Sequence, residues 1–424
     1  MTRDRFEVDN TAIDAAQEKI FIVQPGDGKE ASALEREAVS LVESAGAVHA
    51  GTMFLPVRAV NPATYIGSGK LQELQTRLAG LDIAVLFNGE LTPSQTLNVS
   101  AALDGRKVID RTALILDIFA RHARSSEGKL QVELAQLQYM YPRLKGKGEG
   151  LSRLGGGIGT RGPGETKLET DRRRIRTRIR YLEERLADVK SRRKLFDERR
   201  KKSAANTVSL LGYTNTGKST LLNALTDAGV LAEDKLFATL DPTTRKLTVD
   251  GSDFLLTDTV GFLRQLPHDL ISAFHSTLES ALQCGLALIV CDATDDYAMQ
   301  LETTLSLLQE LGGNVPYRIV VNKCENLQSF DGFPAGSLFV SAKYGLGLDR
   351  LKAEIVQFFR SGYERVLLHI PYGKMGEYER IRRFCSEWKR EYGEDGVEIG
   401  AEVSAQNLPK FLPFRTSPRG VPAN

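Results

Sequence analysis

TVSLLGYTNTGKSTLLNAL, residues 207–225, runs from an apolar stretch into a helix-like stretch through a loop of the form GxxxxGKS, Gly212 to Ser219. A strand, that loop and a helix in this order make a P-loop. The backbone N–H groups of Gly212, Tyr213, Thr214, Asn215, Thr216 and Gly217, with the helix start at Ser219 and Thr220, suit an anionic polyphosphate. Lys218 is placed to reach the β- and γ-phosphates, and Ser219 to ligate Mg²⁺. With glycine at about 7% of residues, a chance match to the pattern is on the order of a few in a hundred. An ordinary strand-to-helix turn is therefore the weaker reading.

Further motifs follow in order. Asp258-Thr259-Val260-Gly261 ends the run FLLT, 40 positions after Lys218, so its carboxylate sits at a strand tip near the metal and Gly261 lets the backbone approach a γ-phosphate. Between them, Phe237-Ala238-Thr239-Leu240-Asp241 supplies in Thr239 a second hydroxyl for Mg²⁺. Alone, Thr239 reads as a capping threonine; beside the other motifs it joins Lys218 as a catalytic candidate. Asn322-Lys323-Cys324-Glu325 ends the run RIVV and Ser341-Ala342-Lys343 ends SLFV. Those are strand C-termini, where an open α/β sheet binds its ligand, so recognition of the base belongs there.

This ordered set resembles the GTPase superfamily, whose fourth motif reads NKxD with its Asp bound to guanine. Glu325 keeps the carboxylate but adds a methylene, which implies that GTP is preferred over ATP by a reduced margin. Phe262 follows Gly261 and cannot orient water, so intrinsic turnover should be slow. His268, in the next loop, is a candidate for that task against the plainer reading of an incidental loop histidine. Asn215 admits two readings, a K⁺ ligand as in some GTPases of this superfamily, or a turn-stabilising asparagine.

Outward from the P-loop, residues 19–124 alternate apolar runs (KIFIVQ, TMFLPV, IAVLFN, KVID) with helix-like segments from near Ser32, Ser68, Thr92 and Arg111. This rhythm predicts a small, mostly parallel sheet. Leu130, Leu134, Leu137, Tyr141 and Leu144, then Ile175, Ile179, Leu182, Leu186, Val189 and Phe196, recur at helical spacing and predict an antiparallel helical hairpin. Its tip, Lys145 to Gly164, holds nine glycines in twenty residues. It has no Gly-Lys-Ser/Thr and follows a helix, so it is not a second P-loop. YIGSGK, Tyr65 to Lys70, is not one either, and reads as an N-cap turn. Past Arg360 the chain mixes apolar runs with an amphipathic stretch, Glu377 to Tyr392, and ends in a Pro- and Gly-containing tail.

The whole is read as an α/β multidomain chain: residues 1–124 a small N-terminal α/β domain, 125–203 an antiparallel helical hairpin with a Gly-rich basic tip, 204–362 a P-loop GTPase domain, and 363–424 a small C-terminal α+β domain and tail. The net charge is only +2, yet residues 141–203 hold 21 Lys/Arg against 9 Asp/Glu and carry +12. Concentrated basicity of this kind points to a polyanion. Arg153, Arg161, Lys167, Arg172 and Arg173 are the candidate RNA contacts, against the plainer reading of a solvated helix face. The four cysteines form no CxxC pair, which indicates neither a disulfide framework nor a zinc site and fits a reducing cytoplasm. The longest aliphatic stretch, Leu286 to Cys291, is far short of the roughly 18 apolar residues of a membrane span. Met1 to Asn10 is too acidic and polar for a signal peptide.

RTALILDIFARHARSSEGKLQVELAQLQY, GGIGTRGPGETKLETDRR, GYTNTGKST, FATLDPTTR and DTVGF together resemble the HflX family of ribosome-associated GTPases. The resemblance covers roughly residues 50–345. It implies binding of GTP and GDP, binding to the large ribosomal subunit and its RNA, with the hairpin tip around Gly155 to Glu165 approaching the peptidyl-transferase region, and a part in splitting or rescuing stalled ribosomes. A monomer is the default expectation. Two other classes stay open at this stage: an RNA-remodelling ATPase that tolerates adenine through Glu325, and a nucleotide-sensing scaffold with little turnover.

Overall fold

The computed structural model describes residues 17–56, 60–144, 163–202, 206–226, 236–237, 242–264, 282, 284–312, 315–360, 363–404 and 407–416.

The first unit alternates β1 (Lys19–Pro25), α1 (Gly28–Ser44), β2 (Val48–Leu55), α2 (Ser68–Leu78), β3 (Ala84–Phe87), α3 (Pro93–Ala102), β4 (Val108–Asp110) and α4 (Arg111–His122). The strands are all parallel in the order β2-β1-β3-β4. Parallel neighbours need crossovers, and the crossing helices cover both faces, which is why β1 and β3 read as unbroken apolar runs. Ile20, Ile22 and Leu86 face Leu41, Ile115 and Phe119 of α1 and α4. Phe21, Val23 and Val85 face Leu74 and Val99 of α2 and α3. Helix starts are set locally: Thr92 and Gln95 form a capping box, and Asp110 caps α4 through the Ala113 N–H at 2.8 Å. Helix α1 begins at Gly28, ahead of the expected Ser32. Gly26 and Gly28, at φ +94° and +79°, turn the chain at once into the helix.

Helices α5 (Ser126–Arg143) and α6 (Pro163–Lys202) form the hairpin. Tyr141 near the end of α5 meets Arg172 and Arg176, while Glu133, two turns earlier, pairs with Arg178 at 2.7 Å. Positions fall along α5 as they rise along α6, so the two are antiparallel. Among the described side chains of α6, Leu182 is fully buried. Buried Asp110 ties α5 to the first unit, accepting from the Tyr139 hydroxyl at 2.7 Å, Arg143 at 2.9 Å and the Leu91 N–H at 3.2 Å. Residues 145–162 of the glycine-rich tip lie outside the described residues, and its last two, Pro163 and Gly164, already belong to α6.

The third unit contains β5 (Asn206–Gly212), α7 (Lys218–Thr226), β6 (Thr243–Val249), β7 (Ser252–Asp258), β8 (Leu286–Asp292), α8 (Tyr297–Glu310), β9 (Tyr317–Asn322), β10 (Leu338–Phe339) and α9 (Leu348–Arg360). Its sheet runs β10-β9-β8-β5-β7-β6, parallel except for β6 against β7. Strand β5 is central, so the loop that follows it is flanked by the C-terminal ends of β7 and β8. Leu210, Leu288 and Leu256 pack on α7 and α9, and Leu211 and Ile289 pack on α8.

The last unit is a three-stranded antiparallel sheet, β11-β13-β12, of β11 (Tyr363–Pro371), β12 (Cys385–Tyr392) and β13 (Gly396–Ser404), with short helices α10 (Met375–Ile381) and α11 (Leu408–Phe411). Val366, Leu368, Ile370, Val397 and Ile399 form its core with Tyr378 and Phe411. The stretch Glu377 to Tyr392, read from sequence as one amphipathic segment, is a helix that stops and a strand that starts at Cys385. On the other face Trp388 lies across Gly400, where a Cβ would come within 2.6 Å of the ring, and the indole stays 53% exposed. No described helix is long and apolar enough to cross a membrane.

Candidate nucleotide-binding site

The loop Gly212 to Ser219 turns back over the sheet because three residues adopt left-handed φ: Gly212 at +145°, Asn215 at +60° and Gly217 at +85°. At two of them only glycine fits. A Cβ on Gly212 would lie 2.2 Å from the Val290 carbonyl oxygen, and one on Gly217 2.3 Å from Asn322 Nδ2. Asn215 is exposed at the crest, in a conformation that asparagine tolerates. Thr216 Oγ1 donates to the Tyr213 carbonyl at 3.0 Å and stiffens the turn.

Lys218 heads α7 with 6% exposure, its Nζ donating to the carbonyls of Gly212 at 3.1 Å and Tyr213 at 2.6 Å. Burial pushes its pKa down to about 8, against the pull of Asp258 and Cys291. A polyphosphate in the cradle would return the missing counter-charge and favour the ammonium form. Ser219 Oγ donates to Asp258 Oδ2 at 2.6 Å. A hydroxyl and a carboxylate oxygen so close, at a helix start, are the hard donors that Mg²⁺ takes, and the pair fits that ion.

The segment after β7 is stitched to the P-loop by backbone: Phe262 N–H donates to Gly212 O at 3.1 Å and Thr214 N–H to Phe262 O at 2.8 Å. Gly261 consequently packs so tightly that a Cβ would lie 2.7 Å from Thr214 Cα. Thr259 Oγ1 holds the Leu210 carbonyl at 2.7 Å, and Val260 is buried. The Phe262 ring turns into the core with Leu211, Ile289 and Leu307. It therefore presents nothing polar to the phosphate side.

At the end of β9, Asn322 Nδ2 donates to the Thr216 carbonyl at 2.8 Å and its Oδ1 accepts from the Ala342 N–H at 3.0 Å. One amide thus links the P-loop, β9 and the Ser341-Ala342-Lys343 turn. Ser341 is fully buried, and Lys343 is exposed beside the Tyr344 ring, 5.2 Å from its centroid. Lys323, at φ +62°, pairs with Asp292 at 2.5 Å, a partner that the motif reading did not anticipate. Cys324 N–H reaches the Val340 carbonyl at 3.2 Å and places Glu325 on a short 3₁₀ turn. Glu325 Oε2 is buried and takes no hydrogen bond. A carboxylate oxygen out of water without a donor is suited to the N–H groups of a purine edge.

The structure thus brings together Gly212 to Thr220, Asp258 to Gly261, Asn322 to Glu325 and Ser341 to Lys343. Phe237 is buried in the core that Tyr213 and Val260 share with the first unit, its ring against Phe119. Residues 238–241, with Thr239, lie outside the described residues, as do His268, Arg153 and Arg161. Lys167 falls on α6; Arg172 lies 5.4 Å from the Tyr141 ring centroid, and Arg173 is exposed. Sequence reasoning missed Glu37 and Arg111 of the first unit, which contact Tyr213 of the P-loop and the Arg264 carbonyl. No local motif marks them, because the contact joins positions far apart in the chain.

Three family models match: a GTP-binding GTPase N-terminal region over residues 33–120, a GTP-binding GTPase middle region over 122–200, and a 50S ribosome-binding GTPase over 207–323. A relative named GTPase HflX from Caldanaerobacter subterraneus subsp. tengcongensis is 47% identical over 374 residues, 87% of each chain. Another of that name from Escherichia coli K12 is 39% identical, over 86% of this chain and 88% of its own. A solved GTP-binding protein from Sulfolobus solfataricus in complex with GDP is 24% identical with a TM-score of 0.45, over 81% of this chain and 98% of its own.

Proposed function

Since the chain belongs to the HflX family of GTPases, we propose that it is a GTP-driven switch that binds the large ribosomal subunit as a monomer and splits or rescues stalled ribosomes. The observation that carries this reading is continuity: basic α6 ends at Lys202, and β5, which feeds the P-loop, begins at Asn206. An RNA-facing lever and a nucleotide site are consecutive in the chain.

In this reading the P-loop amides hold the phosphates, Lys218 neutralises them, and Glu325 receives the guanine edge while Asn322 fixes both loops. Ser219, Asp258 and Thr239 would hold Mg²⁺, which when bound neutralises charge on the β- and γ-phosphates. Gly261 offers its N–H to the terminal phosphate. Phe262 is turned away, so its position supplies no water-orienting group and intrinsic turnover is slow until the ribosome contributes. Turnover in K⁺ against Na⁺ decides the role of Asn215: a K⁺ ligand makes hydrolysis K⁺-dependent, and a turn residue leaves it unchanged.

Co-sedimentation with purified large subunits tests the proposal, comparing a non-hydrolysable GTP analogue, the matching ATP analogue and GDP. Pelleting that requires the GTP analogue and that falls with salt is expected. Charge reversal at Arg172 and Arg173 should weaken it without changing GTP affinity. Absence of pelleting in every nucleotide state would remove the ribosomal reading.

A further inference from the structure

Tyr213 is the second residue of the P-loop, and its two ends face different domains. Its carbonyl oxygen takes the Lys218 ammonium. Its ring leaves the loop and lies, 5% exposed, in one core with Leu41 of α1 and Ile115 and Phe119 of α4. The hydroxyl donates to Glu37 of α1 and accepts from the Arg264 N–H at 3.0 Å. Burial, with Glu37 beside it, holds the phenol well above its usual range, so it remains a neutral donor.

Around that hydroxyl the polar groups form one junction. Glu37 is also paired with the guanidinium of Arg111, and the two side chains are 10% and 3% exposed. The same guanidinium donates to the Arg264 carbonyl at 3.0 Å and to Asn88 Oδ1 at 2.8 Å, and Asn88 reaches Gln24 Oε1 at 2.6 Å. The Arg264 peptide, three positions past Gly261, is therefore held at its N–H by the P-loop tyrosine and at its C=O by the N-terminal unit. The segment leading to Thr239 rests on the same two helices. The Leu236 N–H donates to Ser44 Oγ of α1 at 2.9 Å, and the Phe237 ring meets Phe119 of α4 edge-on with centroids 4.6 Å apart. Val260 and Leu263 complete the shared core.

We propose that Tyr213 is a positioning residue whose hydroxyl, with Glu37 and Arg111, couples the nucleotide state of the P-loop to the docking of the N-terminal unit. A γ-phosphate that draws in Gly261 pulls on Arg264. Arg264 then either drags α1 and α4 with it or leaves buried donors unpaired, and unpaired buried donors are strongly disfavoured. Packed interfaces answer such a pull by stepping between discrete arrangements rather than by stretching. Nucleotide exchange thereby becomes a change in how the N-terminal unit and its hairpin are presented. The inference rests on the GTPase assignment and not on the ribosomal partner.

Hydrogen exchange on the full chain tests it without ribosomes, in GDP and in a non-hydrolysable GTP analogue, reading the amides of Gly28–Ser44 and Arg111–His122. Protection in wild type should differ between the two nucleotides by about fivefold or more. Tyr213→Phe keeps the ring and its packing and removes only the hydroxyl, so a merely structural hydroxyl would lower protection equally in both states and leave their ratio intact. Coupling through the junction instead brings the ratio close to one in Tyr213→Phe and in Glu37→Gln, with no further change in the double variant. An unchanged ratio in both variants, or no difference in nucleotide-saturated wild type, overturns the proposal. Occupancy is followed in the same samples with a fluorescent guanine nucleotide, so a failure to bind, which would overturn the GTPase assignment itself, is read separately.

Discussion

Glu325, which the proposed function sets against the guanine edge, lies on a 3₁₀ turn with Oε2 buried and without a donor. Removing such an acceptor leaves guanine N–H groups unpaired in the complex, at about 1–3 kcal/mol. Glu325→Ala should therefore weaken GTP by roughly 5- to 150-fold while changing ATP little, as read by parallel titrations. Glu325→Asp should widen the preference for GTP over ATP. Equal GTP and ATP affinities in wild type would defeat this view of the residue. Gly212 makes a prediction of the opposite kind, about folding. At φ +145° and with Val290 O 2.2 Å from where a Cβ would stand, Gly212→Ala must displace a central strand. The cost is on the order of 3 kcal/mol or more, seen as a melting temperature lower by roughly 6–12 °C.

Among the elements, the joint between α4 and α5 turns on Asp110. Its buried carboxylate caps α4 and receives Tyr139, Arg143 and the Leu91 N–H. Asp110→Ala should destabilise by roughly 2–3 kcal/mol in urea unfolding, below the range for a fully buried pair because Arg143 is 22% exposed and can turn to water. Asp110→Asn keeps the acceptor for the cap and the tyrosine, and should cost about half as much. Elements built on uniform apolar runs, such as β5 and β8, were legible in the sequence because both their faces are covered. Strand β6 was not: in TTRKLTV only Leu247 is buried, since the strand is an edge with one face to water. Strand β12 escaped for another reason. Glu387, opposite Ala401 of β13, is held by Tyr378 and by Arg382 and Arg390, so an ionic cluster stands where an alternating apolar pattern would have been read. The nucleotide motifs were legible because each is a short run at a strand end. Tyr213's link to Glu37 was not, since 176 positions separate the two.

For the whole molecule, the distribution of cores matters more than their number. One core takes residues from both the N-terminal unit and the nucleotide unit, Leu41 and Phe119 beside Tyr213, Leu236 and Val260. Among the described residues, the C-terminal unit keeps a core drawn from its own strands and short helices. Calorimetry should therefore show the first and nucleotide units melting together, with GTP and Mg²⁺ raising that transition by mass action, and the C-terminal sheet melting in a transition that nucleotide does not move. Separate melting of the first and nucleotide units would contradict the shared core. Charge follows a different division, with +12 confined to residues 141–203 and −10 spread over the rest. The chain's one tryptophan, Trp388, belongs to the sheet that stands apart, lying half in solvent across Gly400. Intrinsic indole emission is consequently a reporter for the last sixty or so residues alone. An unfolding curve recorded by that emission would describe the C-terminal sheet and stay dark to the P-loop, and a probe of nucleotide-driven movement has to be introduced elsewhere, with the face of α1 the natural place to put it.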